Sequence, residues 1–477
     1  SAHLGLARAY AELAQYDKAV PAYQRALELQ ANGDAVPVYL ELGHSYLALG
    51  QMEMAVQIYE RLQEMDQQNP AVYTFGGRAL AGLGRRPDAL AAFHRAAELA
   101  PDRAGPHVGI GDVCLTEGRI HDALAAYERA LRRDPDAVEA HAGLGAVYLR
   151  FRKYEAALEA YQRALALAPR EASYHAGVGD AQLALGAMEP ARRAYERALA
   201  LNPRLVNAYE GMGRLLHEDG AYNSAQEAYQ FAIELAPERA TAHAGLGAAA
   251  LAAGKAETAV VALRRAIVLM PQESHYHAQL GAALQRLGKA DEAIAAYEEA
   301  LACGNKEVTT CEALGQLYMH EGNYRKALSA LQQAVQNQSQ RADIYTALGD
   351  TYLHLGYADE ATAAYQEAVR LDRSYAPAYL GLGHVHLQRE RGSEALVAFR
   401  RALAVQPENA AAYHGMALVY ARLGYTSDAI AAAERAVEYA PCDTTARLNL
   451  AFLYEQTGRT EEALSTFQSL CGDSPDD

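Results

Sequence analysis

Small, apolar and turn-forming residues recur along this chain in columns 34 residues apart. The first column is Gly43, Gly77, Gly111, Gly145, Gly179, Gly213, Gly247, Gly281, Gly315, Gly349 and Gly383, continued by Ala417 and Ala451. Ala7 begins it 36 residues before Gly43, because loop 30–35 carries two extra residues. The second column lies twelve residues later and is alanine throughout, from Ala19 and Ala55 to Ala429 and Ala463. Two small columns at constant phase predict two helices that approach closely in every repeat. A larger side chain there would overpack the contact at a cost of roughly 1–3 kcal/mol. Seven residues after the first column comes another glycine, as at Gly50, Gly84, Gly118 and Gly186, whose left-handed conformation ends a helix. Proline closes the second helix, as at Pro101, Pro135, Pro169, Pro407, Pro441 and Pro475. Arg152 and Glu390 stand where the turn glycine is expected, and 33–37, 303–308, 337–343 and 373–377 lack the proline. Flexible joints are expected at those places.

Each repeat therefore reads helix, tight turn, helix, short loop. One phase of the second helix is aromatic, at Tyr23, Tyr59, Phe93, Tyr127, Tyr161, Tyr195, Tyr229, Tyr297, Tyr365, Phe399 and Phe467. A single hairpin cannot bury this surface, whereas a stack of hairpins can, which predicts a one-dimensional solenoid. The length agrees, since 477 residues exceed the roughly 250–300 at which a single compact core stops growing.

The recurring order of a large aromatic or His, then Leu-Gly, Tyr, Gly, Ala, Tyr or Phe, Ala and Pro resembles the tetratricopeptide repeat over the whole chain. The resemblance implies an all-α, right-handed α-solenoid superhelix of tandem helix-turn-helix hairpins, with a concave surface made mainly by the first helices. The expected repeats are 1–35 and 36–69, then twelve of 34 residues from 70–103 to 444–477. One departure is regular: where the family often has Trp, this chain has Tyr39, Tyr73, His107, His141, His175, Tyr209, His243, His277, Tyr345, Tyr379 and Tyr413.

Charge and motifs narrow the function. The formal charge is −16, and 206–239, 342–375 and 444–477 each carry 2 basic and 6 acidic residues. No long basic stripe is present, which argues against nucleic acid as a partner. No apolar run reaches the roughly 18 residues of a membrane span, so no membrane insertion is expected. Five cysteines without metal-type spacing, two of them (Cys114 and Cys311) at inward positions, favour a reducing compartment and a cytoplasmic location. The glycine pairs such as Gly109–Gly111 and Gly143–Gly145 lie within helices rather than after a strand, so they are packing features and not a dinucleotide loop. Equivalent histidines on neighbouring helices start roughly 8–10 Å apart, too far to share an ion, and hydrogen-bonded substitutes for Trp are expected. With no nucleophile elbow, phosphate loop or catalytic carboxylate pair, the chain reads as non-catalytic, with no cofactor and no metal.

What remains is the non-periodic lining of the concave face. Given the resemblance, it lies three residues before and one, four and five after the first-column glycine. Its first stretch is Ala142, Ala146, Leu149, Arg150, Ala176, Asp180, Leu183, Glu210, Arg214, His217, Ala244, Ala248 and Leu251, mostly small or apolar. Beyond it the lining turns polar with Gln285, Arg286, Gln316, His320, Asp350, His354, His384, Gln388 and Arg422. The expected function is a protein–protein interaction scaffold binding a peptide-like or helical partner segment in this groove. Two family modes do not fit: a carboxylate clamp would need Lys three before the glycine and Asn one after, and an asparagine ladder would need Asn two before it. Other readings are a substrate-selecting or sensor arm of a larger enzyme or signalling ATPase, and a self-assembling structural scaffold. The chain opens on Ser1 without Met, and neither end shows a polar cap, so continuation into further domains or end-to-end self-association is expected.

Overall fold

The computed structural model describes residues 2–29, 35–337 and 340–471, with side chains up to 468. The insertion in loop 30–35, residues 338–339 of one expected joint, the Leu470 and Cys471 side chains, and Pro475 with its neighbours lie outside the described residues. Among those described there are twenty-eight helices and no strand.

In chain order the helices begin α1 (Ala2–Glu12), α2 (Tyr16–Glu28), α3 (Val36–Ala48), α4 (Met52–Met65), α5 (Pro70–Gly82), α6 (Arg86–Leu99) and α7 (Gly105–Thr116). There follow α8 (Ile120–Arg133), α9 (Val138–Arg150), α10 (Tyr154–Leu167), α11 (Ala172–Ala184), α12 (Met188–Leu201), α13 (Val206–Glu218) and α14 (Tyr222–Leu235). Next are α15 (Ala240–Ala252), α16 (Ala256–Leu269), α17 (Ser274–Arg286), α18 (Ala290–Ala302), α19 (Val308–His320), α20 (Tyr324–Gln336) and α21 (Ala342–His354). The last are α22 (Ala358–Leu371), α23 (Ala376–Gln388), α24 (Gly392–Val405), α25 (Ala410–Arg422), α26 (Thr426–Tyr439), α27 (Thr444–Gln456) and α28 (Thr460–Cys471). They fall into two compact units, Ser1–Ala249 and Ala250–Asp477. Each unit is a solenoid stack of antiparallel helical hairpins.

The turn within each hairpin has a common geometry. At Gly186, with φ 74°, the glycine N–H donates to the Leu183 carbonyl at 2.8 Å and the Ala187 N–H to that of Gln182 at 2.9 Å. This double bond pattern satisfies carbonyls that the helix end would leave open. The turns at Arg152 and Glu390 keep it without glycine, at φ 57° and 59°, and Ala14 does the same at 55°. Their following N–H groups still reach five residues back, Lys153 to Tyr148 at 2.9 Å and Arg391 to His386 at 2.8 Å.

The glycine columns are explained by rings rather than by helix approach alone. A methyl group placed on Gly111 would stand 2.6 Å from the Tyr127 ring of its own hairpin, and one on Gly109 would collide with Phe93 of the preceding hairpin. The pair is thus a saddle that seats two aromatic rings from successive second helices. Gly143 and Gly145 repeat it with Tyr127 and Tyr161, and Gly177 and Gly179 with Tyr161 and Tyr195. The alanine column is fully buried at Ala123, Ala157 and Ala191, and Ala463 in the last hairpin is 5% exposed. Cys114 and Cys311 are buried as small apolar groups.

First helices also touch one another. In the first unit α5 packs on α7, α7 on α9, α9 on α11 and α11 on α13, and in the second α19 on α21, α21 on α23 and α23 on α25. No pair of successive second helices packs comparably among the described residues. Each stack is therefore tighter on the first-helix side, which sets that side as its inner face.

Candidate partner-binding face

The first helices carry every residue expected to line the groove, but they do not all present surface. Ala142, Ala146 and Leu149 on α9 are half-buried and Arg150 is exposed, as an accessible lining requires. Ala176, Leu183 and Ala244 correct the expectation, being only 3%, 6% and 7% exposed. Leu183 is drawn into a cluster with Ala191, Tyr195 and Leu215, and Ala176 packs with Ala198 and Ala208. The joint between hairpins consumes these side chains, so they supply core instead of floor. Ala248 and Leu251 remain half-buried.

Much of the polar lining is engaged within the chain. Asp180 accepts from the Tyr195 hydroxyl at 2.7 Å and from Arg214 of the next first helix at 2.5 Å. Burial pushes the Asp180 carboxyl above its usual range, opposed by the Arg214 charge and the Tyr195 hydrogen bond. Glu210 is held by Arg239, with bonds of 3.2 and 3.0 Å, and by the Thr241 hydroxyl, while Arg239 also donates to Asn207 at 2.7 Å. Arg239 and Thr241 lie outside the helical phase that defines the groove, so the repeat pattern gives no sign of their part in it. In the second unit Arg286 donates to the Leu251 carbonyl at 2.6 Å, and Arg422 to that of Leu387 at 2.9 Å. These arginines repeat one device, fastening a first helix to the carbonyl end of the one before it.

Other lining residues lean on neighbours. Tyr365 donates to Asp350 at 2.6 Å and Tyr297 to Gln285 at 3.1 Å, and Gln316 bonds Glu312 at 3.3 Å. His354 stacks on Tyr324 at 4.3 Å between ring centroids, His217 lies 5.4 Å from Tyr222, and His384 meets Phe399 edge-on at 5.4 Å. Burial holds His384 below the usual imidazole value, and neighbouring His414 adds to the effect. Arg150, His320 and Gln388 are exposed and make no hydrogen bond or ion pair among the described residues.

The Trp-replacing histidines have a structural task. Nε2 of His141, His175, His243 and His277 lies 2.8, 3.1, 2.9 and 2.8 Å from the carbonyl oxygen of the proline six residues earlier. Tyr209 reaches the carbonyl of Pro203 with its hydroxyl at 3.3 Å. At these positions the column ties the first helix to the loop that precedes it, and Tyr73 and Tyr379 do the same through the carbonyls of Gln67 and Arg373 at 3.2 Å each. Among the described residues no group of His, Cys, Asp and Glu is arranged to hold a metal ion.

Comparison with known families agrees with this architecture. Models of the tetratricopeptide repeat match residues 14–79, 76–123, 110–172, 144–206 and 210–274. The chain belongs to the tetratricopeptide repeat family. A model described as the cilia and flagella-associated protein 70 C-terminal domain matches residues 275–473. Among solved tetratricopeptide-type structures, the Cut9–Hcn1 hetero-tetramer of the APC/C is similar at 17% identity and TM-score 0.49, covering 94% of this chain and 95% of that one. MamA is similar at 28% identity and TM-score 0.32 over 34% of this chain and 94% of its own. YrrB, titled a TPR protein with an unusual peptide-binding site, gives 21% identity and TM-score 0.35 over 39% of this chain and 96% of its own. No curated protein matches in sequence. Repeats of this family support a general role as a protein-interaction scaffold. No helix among the described residues is long and apolar enough to cross a membrane.

Proposed function

We propose that this chain is a non-catalytic scaffold whose first-helix faces hold an extended or helical segment of a partner protein. The observation that carries this reading is what survives after the residues that tie hairpins together are removed from the lining. In the first unit, Ala142, Ala146 and Leu149 leave a strip of small and apolar surface beside the unpaired, exposed Arg150. In the second unit, exposed His320 and Gln388 remain available as polar contacts. A backbone with small side chains leaves room for bulky anchors of a partner, and unpaired polar groups beside it fix register. Cationic Arg150 favours an anchor flanked by a carboxylate. Reading the chain as one continuous array of fourteen repeats belongs to the same proposal.

Crosslinking mass spectrometry on the native complex tests it, paired with Leu149→Glu and Arg150→Glu. Crosslinks on α9 and on the α19 and α23 faces are expected. Arg150→Glu, on an exposed and unpaired side chain, should weaken partner capture at least tenfold without lowering the thermal midpoint. Leu149→Glu should weaken capture and also lower the midpoint, because Leu149 packs on the core around Tyr161 and Val178. Contacts confined to the second helices would sink the groove reading.

A further inference from the structure

A second tyrosine position lies three residues after the first column, filled by Tyr10, Tyr46, Tyr148, Tyr318, Tyr352, Tyr420 and Tyr454, whereas Leu80, Cys114, Gln182, Leu216, Ala250 and Leu284 stand there in six other hairpins. At Tyr46, Tyr318, Tyr352, Tyr420 and Tyr454, which include the hairpins on either side of α23, the hydroxyl meets the polar residue of the preceding second helix that follows the alanine column by five. Gln24 meets Tyr46 at 2.8 Å, Gln332 meets Tyr352 at 3.0 Å, Arg400 meets Tyr420 at 3.2 Å and Glu434 meets Tyr454 at 2.9 Å, while Tyr318 bonds Glu298. The phenol therefore fills the crevice behind the second helices and its hydroxyl finds a partner there.

On α23 the position holds His386 instead. The imidazole is shorter than a phenol. The equivalent partner, Gln366 on α22, makes no hydrogen bond among the described residues, and Nδ1 of His386 is buried without one. A cavity of about 450 Å³ opens there between α22 and α24, lined by Gln366, Val369, Leu382, His386, Val397 and Arg401. Its volume is in the range of ligand pockets, roughly 300–1,000 Å³. Val397 is 53% exposed at the mouth, so the opening faces solvent on the second-helix side, away from the groove of the proposed scaffold function.

We propose that this cavity receives a tyrosine side chain from a partner protein, which takes the space and the polar contacts that the chain's own tyrosine takes in neighbouring hairpins. Val369, Leu382 and Val397 supply the apolar walls for the ring. Nδ1 of His386 is buried without a partner, and a ligand hydroxyl that satisfies it is stabilised there, while exposed Gln366 stands at the position whose equivalents bond the tyrosine hydroxyl in neighbouring hairpins. Arg401 at the rim is placed to lie over an aromatic face. A wide, solvent-facing mouth suits a side chain that remains attached to its backbone.

The test uses the full chain and N-acetyl-tyrosine amide as probe, read by saturation-transfer NMR against N-acetyl-phenylalanine amide and p-cresol. The capped tyrosine should bind with a dissociation constant on the order of 1 mM, appropriate to an isolated side chain. It should bind more tightly than the capped phenylalanine. His386→Tyr refills the cavity from within, so it should abolish binding and raise the thermal midpoint. Val397→Arg, on the exposed rim where folding is not at stake, should weaken binding at least fivefold. Equal binding to the parent and both variants, equal binding of the two capped residues, or no binding at all would each overturn the proposal. Binding of p-cresol but not of the capped tyrosine would assign the pocket to small phenols and overturn the partner reading.

Discussion

Ala14, Arg152 and Glu390 hold the left-handed turn that glycine holds in the other hairpins, at φ 55°, 57° and 59°. A β-carbon in that conformation costs roughly 1–2 kcal/mol, part of which glycine returns through the greater freedom of its unfolded chain. Arg152→Gly and Glu390→Gly should therefore each stabilise the fold by about 0.5–1 kcal/mol, seen as a higher urea midpoint. A lower midpoint would mean that side-chain contacts at these turns outweigh the strain. The sequence marks 152 and 390 as breaks in the glycine ladder and passes over Ala14, which is the same break in the first hairpin. It reads them as weak joints, whereas the folded chain keeps the turn and accepts the strain, because the bonds from the residue that follows still close the helix end.

At the scale of single elements, tyrosine–aspartate pairs join the two helices of a hairpin. Tyr127 donates to Asp112, Tyr195 to Asp180 and Tyr365 to Asp350, each across fifteen residues. Burial pushes the Asp350 carboxyl above its ordinary value of 3.8, opposed by the Tyr365 bond and by His354 and His384. A carboxyl that holds its proton more tightly when folded than when unfolded favours the fold at low pH. Its contribution is greatest below the ordinary carboxylate range and declines as pH rises through the raised value. Asn can still accept from Tyr365 but carries no buried charge. Asp350→Asn should thus match the parent in acid and exceed it in unfolding free energy at neutral pH, measured by urea melts across that range. An equal loss at both pH values would show that geometry, not charge, governs the pair. The hairpin itself was legible in the sequence, since columns of glycine, alanine and proline dictate where helices begin, turn and stop. These pairs were not, because the aspartate reads as a solvent-facing groove residue until the ring from the second helix arrives beside it.

Across the whole molecule, stability in a stack is a sum of hairpins and the contacts between adjacent ones. Gly145→Ala puts a methyl 2.7 Å from the Tyr161 ring, an overpacking worth roughly 1–3 kcal/mol. Amide hydrogen exchange should quicken in α9, α10 and α11 and stay unchanged in α19 to α25. Uniform acceleration through both units would contradict nearest-neighbour stability. By itself the sequence determined the hairpin, its period and its family, because backbone conformation at Gly and Pro and the size of small residues act locally and repeat. Only tertiary packing decided which lining residues stay free. Leu183, Asp180, Glu210, Arg214 and Arg286 sit at groove positions in the repeat, yet each is engaged by a neighbouring helix that the linear pattern does not place. The cavity at His386 has the same origin. A histidine between the equivalent Tyr352 and Tyr420 is visible in the sequence, but the space beside it exists only where three helices meet.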